Sequence, residues 1–140
     1  MPNGHADTIH RGLEAFNARD FDAAISLLAE DVVWASFLSR TQGEYLHGRE
    51  EVRTAWESQV DVLDLRAEAL EYIPVGDDKV VVPMRMIGQG RGSEMTIAAS
   101  IVWLWTLGED GLGTSVEVFD ERAAALEAAG GSQDRVRSPA

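Results

Sequence analysis

The stretch EMTIAASIVWLWTL, residues 94–107, alternates as an extended strand does. Its odd positions are Met95, Ile97, Ala99, Ile101, Trp103, Trp105 and Leu107; its even ones are Glu94, Thr96, Ala98, Ser100, Val102, Leu104 and Thr106. A period of two puts these sets on opposite faces, and the bulkier odd set belongs under whatever covers the sheet. In residues 79–89, Val80, Val82, Met84 and Met86 form a matching apolar row, with Arg85 and Gln89 on the other side. The second face is small and half apolar, so it is a candidate for contact between the sheets of two copies; a solvated face is the rival reading.

The neighbouring segments continue the pattern. Residues 65–75 read as a strand, joined to 79–89 by a turn at Gly76-Asp77-Asp78. Glycines in 88–93 turn the chain between the two long strands, and a turn at 108–113 leads to a last strand over 114–120. On the N-terminal side the period is helical. Ile9, Leu13 and Phe16 predict a helix over 5–18. Asp20 is placed to cap a second helix with Phe21, Ala24, Ile25 and Leu28 on one face. Val32 to Phe37 reads as a strand, Leu38 to His47 as a loop, and Arg49 to Val62 as a third helix carrying Val52, Ala55, Trp56 and either Gln59 or Val60 inward. A short helix over 121–129 closes the domain, and the polar residues 131–140 are expected to be disordered. Three helices followed by a run of strands predict one α+β domain over residues 1–130, with its helices on one face of an antiparallel sheet.

Composition narrows the function. Net charge is −12, from 24 acidic and 12 basic residues, and nothing clusters lysine or arginine as nucleic-acid binding requires. The same charge disfavours anionic membranes and strongly anionic ligands. The apolar run around Ile101 to Trp105 is far short of the roughly 20 residues that cross a bilayer, and no signal peptide pattern opens the chain, so a cytoplasmic protein is expected. With no cysteine and no HxH or HExxH spacing, neither a metal nor another cofactor is called for. Arginine outnumbers lysine eleven to one, which hints at a GC-rich bacterial genome.

The order of elements, with its local phrases, resembles the nuclear transport factor 2-like superfamily and its SnoaL-like branch. The phrases are FNARDFD at 16–22, LAEDVVW at 28–34, YLHGREEVR at 45–53, GDDKVVV at 76–82, GRGS at 90–93 and FDERAAALEAAG at 119–130. The resemblance implies a cone-shaped roll, three N-terminal helices packed on a curved mixed or antiparallel sheet, with a pocket between the helices and the concave sheet; dimers are common among such relatives. It also implies chemistries that can be checked against the residues. A ketosteroid isomerase needs a carboxylate base and two acidic donors; the matching positions hold Ser36, Gly12 and Trp103, so that set is absent. The aspartate–arginine–aspartate set of an epoxide hydrolase is absent too, since Arg85 is turned outward by parity and Glu117 is one acid of three. Of the histidines, His5 and His10 read as surface residues, and His47 could stand at a pocket rim or be merely structural.

What remains is aromatic and soft. Phe16, Trp34, Ser36, Trp56, Met84, Met86, Ile101, Trp103, Val116 and Val118 would line a pocket suited to a flat apolar ligand. Polar groups able to work there are few: Ser36, Gln59, Glu68, Tyr72, Glu117 and Asp120, with Asp120 better placed to cap the closing helix. Glu117 and Glu68 are the candidates for a general acid or base, should burial raise a carboxyl pKa toward neutrality. Two readings stand. One is a binding protein, or a cofactor-free enzyme, for a hydrophobic small molecule. The other is a homodimeric interaction module whose core is filled. A cavity with a buried carboxylate would mark the enzyme. The loop Leu38 to Leu46 is either a lid or a plain connection.

Overall fold

Helix α1 spans Gly4–Asn17 and buries Ile9, Leu13 and Phe16, the stripe its spacing predicts. The computed structural model describes residues 4–35, 45–62, 64–90 and 96–131. The chain leaves α1 through Arg19 at φ 66, with Arg19 N–H donating to the Phe16 carbonyl and Asp20 N–H to the Ala15 carbonyl, a Schellman ending built on a residue other than glycine. Asp20 then caps α2, Phe21–Ile25, by accepting from Ala23 N–H at 3.2 Å. Helix α2 is shorter than its apolar face predicts, because Leu28 already begins strand β1, Leu28–Trp34.

After β2, Leu46–His47, helix α3 runs over Gly48–Val62 with Val52, Trp56 and Val60 buried; of the two alternatives near its end, Val60 points in and Gln59 is exposed. The single strand expected over 65–75 is two short ones, β3 Arg66–Ala69 and β4 Ile73–Val75. Both pair with β5, Lys79–Gln89, which is long enough to hold two partners end to end. Strand β6 is Thr96–Leu107 and β7 is Gly113–Phe119. The last helix, α4 at Arg122–Leu126, runs into a wider turn over Glu127–Gly131. Its N-cap residue is Glu121, not Asp120.

The strands form one seven-stranded sheet in the order β2-β1-β7-β6-β5-β3, with β4 also on β5. The β1–β7 pair is parallel and the others are antiparallel, so the sheet is mixed. The β5–β6 ladder runs without a register shift from Lys79↔Thr106 to Gln89↔Thr96, which fixes the face of every residue on it. Ile101, Trp103, Trp105 and Leu107 join the main core under α1, α2 and α3, as parity predicts. Val102 and Leu104 face the other way, where Ala125 of α4 and Ala129 of the wider turn after it cover them.

One side chain ties the helical layer to the sheet edge. The Asn17 amide donates to the Ala67 carbonyl at 2.8 Å and accepts from Ala67 N–H at 2.9 Å, supplying the partner that edge strand β3 lacks on that side. Asn17→Ala leaves both groups of this buried residue unpaired, and should cost about 2–3 kcal/mol. Thermal unfolding of the variant checks this; a melting temperature equal to wild type would show the pair to be dispensable.

Candidate functional site

The inner face of the sheet is organised around the tryptophans. Trp34 lies at the end of β1, Trp56 on the inward side of α3, and Trp103 and Trp105 on the inner row of β6. Their rings meet edge to face. Trp34 contacts Trp56 at 5.2 Å, Trp103 at 5.4 Å and Trp105 at 5.9 Å between centroids, with interplanar angles of 79–83°. Phe16 extends the cluster through Trp56 at 5.5 Å, and Phe21 packs beside both. Such geometries follow the ring quadrupoles, so the cluster is held by orientation as well as by burial.

The expected pocket residues Phe16, Trp34, Trp56, Met84, Met86, Ile101, Trp103, Val116 and Val118 all belong to this one core or pack against it. Ser36 lies outside the described residues, as do residues 38–44 of the loop considered as a lid. The two candidate carboxylates are not with them. Glu68 is exposed and pairs across strands with Arg85 on the outer face, because its neighbour Ala67 takes the inward position. Glu117 is half-buried but registers opposite Leu104, on the face that α4 covers. Arg85 is exposed, as parity predicts, and so is His47. Tyr72 packs on the rim of the core, with its hydroxyl 3.1 Å from His10 Nδ1; His10 Nε2 lies 3.4 Å from Glu14.

Burial, aided by the nearby Glu14 charge, raises the Tyr72 pKa above the ordinary phenol value. The unfolded chain therefore gives up this proton at lower pH than the folded one. The contribution to stability is intact below the ordinary phenol range and is lost as pH rises through the raised value. An ultraviolet difference titration should show one late-ionising phenol that disappears in Tyr72→Phe.

Two features escaped the reading of the sequence. The first is Trp105, omitted from the pocket although it shares parity with Trp103. Its ring has room only because residue 113 is glycine: a β-carbon there would stand 2.7 Å from Trp105 Cζ3, 3.0 Å from Cε3 and 3.3 Å from Leu28 Cδ2. The second is a change along the inner row of β6. Trp105, Trp103 and Ile101 are buried but Ala99 is exposed, with the half-buried Met86 paired to it and Ala67 beyond. The inner face thus has a packed aromatic floor at one end and an open shelf of small and flexible residues at the other.

The chemistry this arrangement offers is narrow. Among the described residues, no aspartate, glutamate, histidine, lysine or arginine is buried, and no group of three or more could hold a metal ion. An open groove of about 480 Å³ runs along the outside of α3, lined by Leu46, Glu50, Glu51, Thr54, Ala55 and Ser58. It does not reach the tryptophans. No helix among the described residues is long and apolar enough to cross a membrane.

Known structures share this architecture. RV0760c from Mycobacterium tuberculosis, in complex with estradiol-17β-hemisuccinate, is 17% identical, with a TM-score of 0.75 over 86% of this chain and 95% of that one. The Δ5-3-ketosteroid isomerase of Mycobacterium sp. is 12% identical, with a TM-score of 0.73 over 86% of this chain and 95% of that one. An NTF2-like protein of unknown function from Burkholderia pseudomallei is 22% identical, with a TM-score of 0.69 over 89% and 95%. At these identities the likeness is one of fold. No curated protein sequence matches the chain. The SnoaL-like domain model matches residues 9–116, from the first buried residue of α1 to the middle of β7, and the chain belongs to that family.

Proposed function

We propose that this chain binds a hydrophobic, uncharged small molecule on the inner face of its sheet, between the aromatic floor and the Met86–Ala99 shelf. The observation that carries the reading is the absence of any buried charge among the described residues, beside an inner face of tryptophan, methionine and alanine. A buried carboxylate on a ligand would meet no cation there, and desolvating it unpaired would cost more than the apolar contact returns. The same absence leaves acid–base catalysis without a group in the described interior, so binding is favoured over turnover. RV0760c, of the same fold, holds a steroid ester.

Competing titrations of this chain with estradiol and with its 17β-hemisuccinate test the proposal, followed by tryptophan fluorescence. The neutral steroid should bind on the order of tenfold or more tightly, because the ester carries a carboxylate. Equal or tighter binding of the hemisuccinate would overturn the neutral-ligand reading.

A second reading rests on the outer face. Helix α4 covers its Val81–Val102–Leu104 end, which leaves Leu70 (59% exposed), Ile87, Ala98 and Ser100 uncovered beside Arg66, Glu68 and Arg85. Small residues, two large apolar ones and charges of both signs can complement the same patch on a second copy, so homodimerisation through this half of the face is part of the proposal. Leu70→Asp should shift a dimer toward monomer in sedimentation velocity; an unchanged distribution would remove this patch from the interface.

A further inference from the structure

Strand β6 runs on past one of its two neighbours. It pairs with β7 from Leu107↔Gly113 only as far as Val102↔Phe119, and there the chain leaves the sheet for α4. On its other side β6 stays paired with β5 down to Gln89↔Thr96. Residues 96–101 therefore have one flank filled and, among the described residues, one flank open. Six residues of strand span roughly 20 Å, and every second one turns its N–H and C=O away from β5. Half of their backbone donors and acceptors thus line the open flank.

Such a flank is a template for pairing with another chain, and this sheet blunts its other edges. The Asn17 amide occupies the edge of β3 at Ala67, and Arg49 Nε donates to the Leu28 carbonyl of β1 at 2.8 Å. Strands β2 and β4 are only two and three residues long. The flank of 96–101 has no such protection in its own sequence. Thr96-Ile97-Ala98-Ala99-Ser100-Ile101 holds no charge, no proline and no glycine. Thr96, Ala98 and Ser100 on the outer face and Ala99 on the inner face are all exposed, so the described residues cover neither side of this ribbon.

We propose that this flank pairs with the same flank of a second copy, antiparallel, about a two-fold axis at Ala98. Two features select a copy of this chain as the occupant. The chain carries a net charge of −12, so two copies meet at least electrostatic cost along an uncharged strip, and 96–101 is one. The strip is also complementary to itself. A two-fold axis through the sheet sets inner face beside inner face, so only positions of one parity can oppose each other. With the axis at Ala98, Thr96 of each copy faces Ser100 of the other, and Ala98 faces its counterpart. Two hydroxyl pairs then flank an alanine pair, a favourable cross-strand set. Moving the axis to Ala99 would bring Thr96 of one copy against Val102 of the other, whose flank Phe119 already fills. The product is one sheet continuous through both copies, β5-β6-β6-β5 at its centre. It leaves the Leu70 patch uncovered, so it is a contact distinct from face-to-face packing, and it does not depend on the ligand proposed above.

The chain has no cysteine, so single introduced cysteines report the register. Residues directly opposed in an antiparallel pair have Cα atoms about 4.5–5.5 Å apart, within disulfide reach, whereas the two copies of Ser100 would stand roughly 14 Å apart. Under oxidised glutathione, full-length Ala98→Cys should form a cross-linked dimer at least about tenfold faster than Ser100→Cys. Equal rates, or no cross-link from either, would overturn the pairing. Amide exchange of the wild-type protein gives a second test that needs no substitution. The amides of 96–101 that point to the open flank should exchange roughly tenfold more slowly in concentrated than in dilute solution. Exchange there that ignores concentration would overturn the edge contact, and a dimer seen by sedimentation would then belong to the outer face.

Discussion

Replacing Trp34 by alanine is expected to cost about 3–5 kcal/mol of unfolding free energy, the range for deleting a large buried aromatic side chain. Trp34 is the hub of the interior. It is the ring that touches Trp56 on α3 and both Trp103 and Trp105 on β6, so its loss uncouples the helical layer from the sheet as well as opening a cavity. The three rings it leaves behind lose edge-to-face partners, each pair being worth about 0.5–1.5 kcal/mol beyond the area buried. Urea denaturation measures the loss directly. A cost under about 1 kcal/mol would mean that the cluster can close over the gap, and that the aromatic floor is not a rigid element.

The second large effect is expected at Gly113, for a reason of space rather than conformation. Its backbone is not among those with positive φ, yet a β-carbon would overlap Trp105 Cζ3 at 2.7 Å. Both faces of that contact are fixed, since Gly113 N–H donates to the Leu27 carbonyl at 2.9 Å and Trp105 is wedged between Val80 and Val116 in the sheet. Gly113→Ala should therefore cost about 1–3 kcal/mol through overpacking, and Gly113→Val should cost more. Pairing Gly113→Ala with Trp105→Phe should cost less than the sum of the two single changes, because the smaller ring removes the clash. Strict additivity in that cycle would show that Trp105 does not lie against Gly113.

Much of the fold was legible because the deciding residues obey simple periods. Ile9, Leu13 and Phe16 marked α1, and the alternation through Trp103 and Trp105 assigned the inner face of β6 before any packing was known. The errors fall where tertiary partners override local pattern. Residues 65–75 look like one strand, but two partners share the length of β5, so the strand breaks between Ala69 and Ile73. Leu28 fits the apolar face of α2 as well as the start of β1; its pairing with Gly113 on β7 decides for the strand, a contact 85 residues away in sequence that no local window contains.

The apolar core beneath the proposed site was legible in the sequence; the placement of the acids was not. The apolar lining follows from parity, which is why nine of the expected pocket residues meet in one core. Glu68 and Glu117 are candidates only where burial raises a carboxyl pKa, and for Glu117 parity already argues against the inner face: it alternates with Val116 and Val118, so it cannot share their face. Trp105 was missed for a different reason. The contact that seats its ring exists only in three dimensions: Gly113, which makes room for it, is six residues beyond the end of β6.

Native mass spectrometry on freshly purified protein, compared with the denatured mass of the same sample, tests the central claim most directly. The account predicts an extra mass on the order of a few hundred daltons, the size of an apolar small molecule, present in the native species, released on denaturation and neutral after extraction. A native mass equal to that of the bare chain or its dimer, together with no binding of estradiol, would contradict it and assign the tryptophans to a filled core.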